Sequence, residues 1–174
     1  MIFMSQSGLL DRTRDDDWDR WYLEHLRALV TVPGISSAQR FRTETPGFPP
    51  SLAIYSVVSP AVFDDPYYLS VRGLREWQPL IDRQYYRRNL FDGLEHAPEV
   101  AEDARLLLTD RERPEGAIHG IEFMWLECVG IDRSTPHRGM AVLAPMHMPP
   151  LDPAVAVYRP VTPRITVVSR EEDP

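Results

Sequence analysis

One histidine lies within the apolar face of the stretch that most clearly predicts a helix. The stretch begins at Asp15 and ends at Pro33-Gly34, with three carboxylates in its first turn, where they suit the positive end of a helix dipole. His25 falls in its apolar stripe, so we expect a buried imidazole that can remove or return a proton in a dry pocket. The alternative is a core histidine whose two nitrogens are satisfied by the backbone or by Tyr55. The apolar residues that recur with the helical period are Trp18, Trp21, Tyr22, Leu26, Leu29 and Val30.

A carboxylate interrupts the strand-like run Ile118–Ile131. Glu127 shares a predicted strand face with apolar residues, namely Ile121, Phe123, Trp125, Val129 and Ile131. In such surroundings the carboxylate could act as a general acid or base, or hold His25 in one tautomer. The alternatives are a salt bridge to Arg40 or Arg42, or an exposed strand end.

Two arginines share one face of the predicted strand Ile35–Thr43. Alternation along the strand brings Arg40 and Arg42 to the same side. A guanidinium group can bind a carboxylate or an enolate with two parallel hydrogen bonds. The alternatives are exposure to solvent and pairing with Glu44. The aromatic residues that would line a pocket for a flat apolar ligand, and that are also typical of a core, are Trp21, Tyr22 and Tyr55.

Composition excludes several classes of function. The chain of 174 residues is long enough for one domain, or for one domain with a substantial extension, and its formal net charge is −7. All 19 basic residues are arginines scattered among acids, and Arg87-Arg88 beside Tyr85-Tyr86 is too small a patch for nucleic-acid binding. No run approaches the roughly 18 apolar residues of a membrane helix. The single Cys128 cannot form an internal disulfide and fits a reducing compartment, so we expect a cytoplasmic protein.

The sequence carries no recognisable motif for a metal or a cofactor. The five histidines are scattered, without the paired spacing of a zinc site. The glycine-rich dinucleotide pattern and the Walker pattern are also absent from the sequence. We therefore expect no metal and no cofactor.

Further strand and helix signals follow along the chain. Ser59-Pro60 predicts the start of a short helix and Gly73 its end. Repeated prolines after Asp132 indicate an extended, edge-forming or partner-wrapping segment. The predicted elements are strands at Met1–Ser7, Ile35–Thr43, Leu52–Val58, Ile118–Ile131, Gly139–Ala144 and Ala154–Val168, helices from Asp15 and at Ala61–Arg72, a helix-like run at Trp77–Leu94, and a polar connection at Ala97–Arg113.

The order strand, helix, strand, strand, helix, strand is that of the ferredoxin-like split βαβ arrangement. Four segments within it resemble the EthD-like branch of the dimeric α+β barrels: Trp21-Tyr22-Leu23-Glu24-His25-Leu26, Val32-Pro33-Gly34, Ala38-Gln39-Arg40-Phe41 and Leu52-Ala53-Ile54-Tyr55. The resemblance implies an α+β fold in which ferredoxin-like sheets of two subunits pack face to face. The helices then lie on one face of each sheet, with a small apolar pocket between sheet and helices. Among the candidate residues, only His25 matches the family's helix motif.

The resemblance also implies a domain organisation. Residues 1–131 would form the ferredoxin-like domain, with a helical insertion around 77–113 where the chain departs from the family pattern. Residues 132–174 would form a proline-rich, β-containing extension that packs on the same domain or on the dimer partner. Family members include cofactor-free monooxygenases of aromatic polyketides, muconolactone isomerases and haem-binding proteins. Because one fold hosts many chemistries, the reaction does not transfer with the resemblance.

These observations predict a homodimer that binds a small apolar or aromatic molecule and acts as a cofactor-independent isomerase, lyase or monooxygenase. His25 would be the acid or base, Glu127 its partner and Arg40 an anion-stabilising group. A competing hypothesis is a non-catalytic binding or assembly protein with a structural His25, and a haem-binding protein is a third. The predicted substrate-binding residues are Trp21, Tyr22, Tyr55 and Arg42.

Overall fold

Eight antiparallel strands close into a barrel within this single chain. The computed structural model describes residues 1–167. The strands are β1 Ile2–Ser7, β2 Ile35–Thr43, β3 Ser51–Val57, β4 Arg87–Asp92, β5 Arg105–Arg111, β6 Met124–Ile131, β7 His137–Leu143, β8 Ala156–Pro160 and the short β9 Ile165–Thr166. Around the barrel they follow the order β3, β1, β4, β6, β7, β5, β8, β2, and the pairing of β2 with β3 completes the circle. Strand β9 adds a two-residue pairing to β2.

One long helix, α1 (Asp15–Leu29), lies on the outside of the barrel. Its buried face carries the apolar residues that the sequence pattern predicted, and Asp15, Asp16 and Asp17 occupy its first turn. After the helix the chain turns at Gly34, whose φ of +89° is one that other residues rarely adopt. A Cβ at this position would lie 2.6 Å from a γ-carbon of Val62. Glycine is therefore required where the chain leaves α1 and enters β2.

A shorter helical segment covers the same side of the barrel. It contains the helix α2 (Pro66–Val71), flanked by 3₁₀ turns at Pro60–Asp64 and Arg75–Leu80. The side chain of Asp65 caps α2 by accepting hydrogen bonds from the backbone N–H groups of Tyr67 and Tyr68, at 2.8 and 3.0 Å. The segment replaces the single helix predicted at 61–72.

Apolar side chains form three packed regions. The barrel interior is filled by residues such as Met4, Leu52, Phe91, Leu106 and Tyr158. A second region lies between the outer faces of β1, β2, β3 and β4 and the covering helices, and it contains the apolar face of α1. A third lies on the outer face of β5, β7 and β8, where loops rather than helices cover the strands. Strands β1 to β5, β7 and β8 are thus packed on both faces.

The predicted ferredoxin-like, dimeric α+β barrel is wrong, and so is the resemblance to the EthD-like family. Strands β5 to β8 occupy the half of the barrel that a second subunit was expected to supply, so closure needs no partner. The fold is a closed antiparallel β-barrel with few helices. The helix-like run at 77–94 and the connection at 97–113 contain the barrel strands β4 and β5. Residues 132–167 supply β7, β8 and β9, while Val168 and the residues after it lie outside the described part.

The two halves of the barrel repeat one strand order. Around the circle, β2, β3, β1 and β4 are followed by β6, β7, β5 and β8. If the four strands of each half are numbered along the chain, both halves have the same order around the barrel: second, third, first, fourth. Only the first half has helices between its strands. Within residues 1–167, moreover, no helix is long and apolar enough to cross a membrane.

Candidate functional site

A partly open cavity of about 350 Å³ lies between the first half of the barrel and its helices. Its floor is the outer face of β1, β3 and β4, and its walls are α1 and the helical segment around α2. The lining combines apolar and phenolic side chains with a few polar groups, which suits a small organic ligand. It consists of Phe3, Ser5, Tyr22, His25, Leu29, Tyr55, Tyr68, Leu69, Arg72, Gly73, Leu74, Gln78, Tyr86 and Arg88.

His25 lies on the α1 wall of this cavity. Its ring stacks on Trp21, with centroids 4.9 Å apart and an angle of 16° between the planes, and meets Tyr22 edge-on at 5.5 Å. Burial, helped by the nearby positive charge of Arg75, lowers the pKa of His25 to about 4. The imidazole is therefore neutral at neutral pH. Among the described residues, neither ring nitrogen has a hydrogen-bond partner, unlike the satisfied core histidine that the sequence left open.

Three hydroxyl groups meet on the floor beside His25. The hydroxyl groups of Tyr55 and Ser5 lie near that of Tyr22 and lower its pKa, but by less than burial raises it. Burial raises the pKa of Tyr22, and it raises the pKa of Tyr55 well above its usual value. Both phenols therefore keep their protons at neutral pH and can act as hydrogen-bond donors. Tyr55 also stacks on Phe3 at 5.4 Å, which fixes the orientation of its ring. The predicted pair Tyr22 and Tyr55 does meet His25 in one cavity.

Two arginines that sequence reasoning missed complete the lining. Arg88 extends from the outer face of β4, donates a hydrogen bond of 3.1 Å to the Tyr68 hydroxyl and lies 5.4 Å from the centroid of the Phe3 ring. Arg72 follows α2, and its guanidinium lies 6.0 Å from the centroid of the Tyr68 ring. The pair Arg87-Arg88 was visible in the sequence. Assigning the two side chains to opposite faces, however, would have required recognising the segment as a strand.

The structure places the other predicted arginines beneath α1 instead of in the cavity. Arg40 is almost fully buried, forms an ion pair with Asp19 and donates to the Ser51 hydroxyl at 3.0 Å. Its guanidinium lies 4.4 Å from the centroid of the Tyr22 ring, on the side of α1. Burial, with a smaller effect of Arg42, lowers the pKa of Arg40 to about 9, so the group stays charged at neutral pH. Arg42 also pairs with Asp19, so these arginines anchor α1 to β2.

Glu127 is not brought to His25. It is exposed on the outer face of β6, opposite Asp92 on β4 and His137 on β7. Neither Glu127 nor Arg40 lines the cavity, so the predicted trio of His25, Glu127 and Arg40 does not form one site. The alternative of a salt bridge from Glu127 to Arg40 or Arg42 does not apply either, because both arginines pair with Asp19.

Each of two other concave regions contains an arginine that is paired with an acid of the protein itself. A groove of about 680 Å³ beside the start of α1 includes Arg42, which pairs with Asp16 at 3.1 Å and with Asp19. A cavity of about 240 Å³ at one end of the barrel includes Arg138, which binds the Asp110 carboxylate with two hydrogen bonds, of 2.7 and 2.9 Å. Within residues 1–167, no three His, Cys, Asp or Glu side chains are grouped so that they could hold a metal ion.

Comparison with known proteins gives no family for this chain. No protein-family model matches it, and neither the curated proteins nor the solved structures contain a significant match.

Proposed function

We propose that the protein binds a small, largely apolar organic molecule in the cavity beside His25 and transfers a proton on it without a cofactor. The observation that carries the proposal is the imidazole of His25, whose nitrogens have no hydrogen-bond partner within residues 1–167 and which stacks on Trp21 at the edge of a cavity that also presents phenol hydroxyls. Burial lowers its pKa to about 4, which makes the imidazole neutral at neutral pH. A neutral imidazole is able to accept a proton, and the imidazolium formed in this apolar setting returns it readily.

The surrounding groups suit the abstraction of a proton next to a carbonyl group. The imidazole nitrogen of His25 takes the proton from carbon, and the electron pair left behind moves onto the carbonyl oxygen. The Tyr22 hydroxyl, with Tyr55 beside it, is a donor that can stabilise the resulting enolate. Return of the proton to a different carbon isomerises the substrate, and loss of a leaving group completes a lyase reaction.

Deuterium exchange into 2-tetralone, a neutral aromatic ketone with acidic α-hydrogens, tests this chemistry directly. We expect the wild-type protein to accelerate the exchange in D₂O, followed by NMR, above the rate in buffer alone. His25→Gln should return the rate to that of buffer. His147→Gln, which changes an exposed histidine in the loop between β7 and β8, should keep the wild-type rate.

Binding of the ketone without faster exchange would favour the second candidate, a non-catalytic binding or assembly protein. One observation favours an assembly role. Three apolar side chains of the loop between β7 and β8 are almost fully exposed, namely Met146, Met148 and Leu151. If they bind a partner or a second copy, changing them to serine should reduce the associated mass in light scattering, whereas His25→Gln should not.

Localisation, assembly and cofactor content belong to the same proposal. The single Cys128 supports a cytoplasmic location. The predicted homodimer stays a prediction, but its original reason no longer applies because the barrel closes within one chain. Light scattering measures the oligomeric state, and visible absorbance of the purified protein tests the haem alternative.

A further inference from the structure

The cavity beside His25 has an unusual charge distribution for an acidic chain. The sequence contains 26 acidic residues against 19 arginines, yet the cavity lining includes Arg72 and Arg88 and no carboxylate. Among the described residues, neither arginine forms a salt bridge. The well-buried guanidinium groups elsewhere are matched by acids, as in the pairs of Arg40 with Asp19 and of Arg138 with Asp110. Within residues 1–167, the positive charge at the cavity is therefore not neutralised by a salt bridge.

Arg72 and Arg88 approach the same tyrosine from two different elements. Arg88 on β4 donates to the Tyr68 hydroxyl at 3.1 Å, and Arg72 after α2 lies 6.0 Å from the centroid of its ring. Because the Tyr68 oxygen accepts this hydrogen bond, its own O–H remains available to donate. A guanidinium has five N–H donors, and within residues 1–167 the Arg88 guanidinium uses them for one hydrogen bond, to Tyr68. Among the described residues, no carboxylate accepts from these donors.

The other side of the cavity has a different character. His25, Tyr22 and Tyr55 present neutral hydrogen-bonding groups there, and Phe3 contributes an aromatic surface between them and Arg88. A ligand that satisfies both sides has an anionic group at one end, a flat apolar body, and a reactive carbonyl or carbon acid at the other end.

We infer that the ligand of this cavity is a small aromatic or unsaturated carboxylate, whose carboxylate group is bound by Arg88, Arg72 and the Tyr68 hydroxyl. This inference rests on the proposed function, since it names the substrate class of the same cavity. The planar carboxylate matches the fork of N–H donors on a guanidinium group. It also supplies the negative charge that the lining lacks. The arginines position the substrate, and His25 acts on its other end.

Matched pairs of ligands test the inference: benzoate, cinnamate and 2-naphthoate, each compared with its neutral amide. Binding to the full-length protein is measured by isothermal titration calorimetry at low ionic strength, with tryptophan fluorescence as a second signal. We expect at least one carboxylate to bind more tightly than its amide. Arg88→Gln should weaken the binding of that carboxylate by about 10- to 100-fold, as expected for the loss of charge-assisted hydrogen bonds. The affinity for the amide should stay unchanged.

Two variants keep the test independent of folding. Arg72 is exposed, so Arg72→Gln removes its charge without disturbing the core and should also weaken the carboxylate selectively. Arg87→Gln is the matched control, because Arg87 neighbours Arg88 on β4 but does not line the cavity. Added salt should weaken carboxylate binding to the wild type more than amide binding.

The outcomes separate this inference from the proposed function. Equal affinity for carboxylates and amides, unchanged by Arg88→Gln and Arg72→Gln, would overturn the inference while leaving the cavity as a binding site. Loss of carboxylate binding in Arg87→Gln to the same extent would also overturn it, since the effect would then be one of general charge. Failure of every carboxylate and every amide to bind would overturn the inference together with the binding role of the cavity.

Discussion

Because His25 is buried as a neutral imidazole, we predict that its protonation lowers the free energy of unfolding in mild acid. The pKa of His25 is lowered from 6.5 to about 4 in the folded protein, first by burial and then by the charge of Arg75. Between these pH values the unfolded chain binds a proton that the folded protein does not bind. The free energy of unfolding therefore falls as the pH is lowered from about 6.5 to about 4, and His25 causes no further loss below that.

The size of the effect follows from the two pKa values. One pH unit between them corresponds to about 1.4 kcal/mol, so the full contribution of His25 is roughly 3 kcal/mol. This is a substantial fraction of the 5 to 15 kcal/mol that is, as an order of magnitude, typical of a folded domain. Above pH 6.5 the stabilising contribution of His25 is fully present, since the imidazole is then neutral in the folded and in the unfolded protein.

The measurement compares variants at several pH values, because carboxylates also titrate in this range. Urea unfolding of the wild type and of His25→Gln, followed by tryptophan fluorescence, gives the stability difference at pH 7, 6, 5 and 4. The carboxylate contributions are common to both proteins and cancel in this difference. We expect the advantage of the wild type over His25→Gln to decrease by about 3 kcal/mol from pH 7 to pH 4. His147→Gln, at an exposed position, should show no such trend.

A difference between wild type and His25→Gln that is the same at pH 7 and pH 4 would refute this reasoning. So would an NMR titration in which the His25 ring protonates near pH 6.5 in the folded protein. Either result would mean that the ring is solvated, and the neutral imidazole of the proposed function would lose its basis.

Two further predictions concern the attachment of α1 to the barrel. Asp19→Asn leaves the Arg40 guanidinium buried without its carboxylate partner and should lower the free energy of unfolding, measured in urea, by about 3 kcal/mol. The control is Asp17→Asn, which breaks an exposed ion pair on the same helix and should lower it by under about 1 kcal/mol. Equal losses in the two variants would contradict the role of Arg40. Gly34→Ala should lower the free energy of unfolding by about 1 to 3 kcal/mol more than Gly47→Ala. Both glycines have a φ near +90°, but only the first would bring a Cβ against neighbouring side chains, so equal losses would rule out the steric cause.

The elements that the sequence predicts correctly are those with local signals. Helix α1 begins at Asp15 as expected, because its acidic first turn and its apolar stripe lie within one continuous stretch. Strand β2 has the predicted bounds, Ile35–Thr43, and β3 differs from its prediction by one residue at each end. The cavity residues His25, Tyr22 and Tyr55 come from these elements, so this part of the site was accessible from the sequence.

Strand β4 was missed because its apolar residues were assigned to a helix together with those of the preceding turn. Trp77 belongs to the 3₁₀ turn Arg75–Leu80, whereas Leu90 and Phe91 belong to β4 and point to opposite sides of the sheet. A helical period over this range is therefore accidental. The error also hid Arg88, since its position on the outer face depends on the strand alternation.

Closure of the barrel depends on pairings that no local pattern contains. Strand β8 pairs with β2, so that Tyr158 lies opposite Thr43, and with β5, so that the same residue lies opposite Leu106. Pro153 precedes this strand and Pro160 is its last residue, so neither proline lies in its middle. Prolines at these positions are compatible with a strand inside a sheet. The prolines were visible in the sequence, but the two partners of Tyr158, which lie 52 and 115 residues before it in the chain, were not.

The cavity beside His25 lies in the first half of the barrel because the connections between strands, and not the strand order, differ between the two halves. In the first half, the connections from β1 to β2 and from β3 to β4 contain helices, and their packing against the outer face leaves about 350 Å³ unfilled around His25. In the second half, the connections are loops, and the equivalent outer face is covered by Phe123, with Ile118, Ile121 and Trp125 packed against it. Apolar side chains from loops and from β6 cover the outer face of the second half, whereas tyrosines, a histidine and two arginines surround a cavity in the first. The second half therefore completes the barrel and supports the first, so substitutions there should affect stability, and substitutions that change ligand binding should map to α1, β1, β3, β4 and the segment around α2.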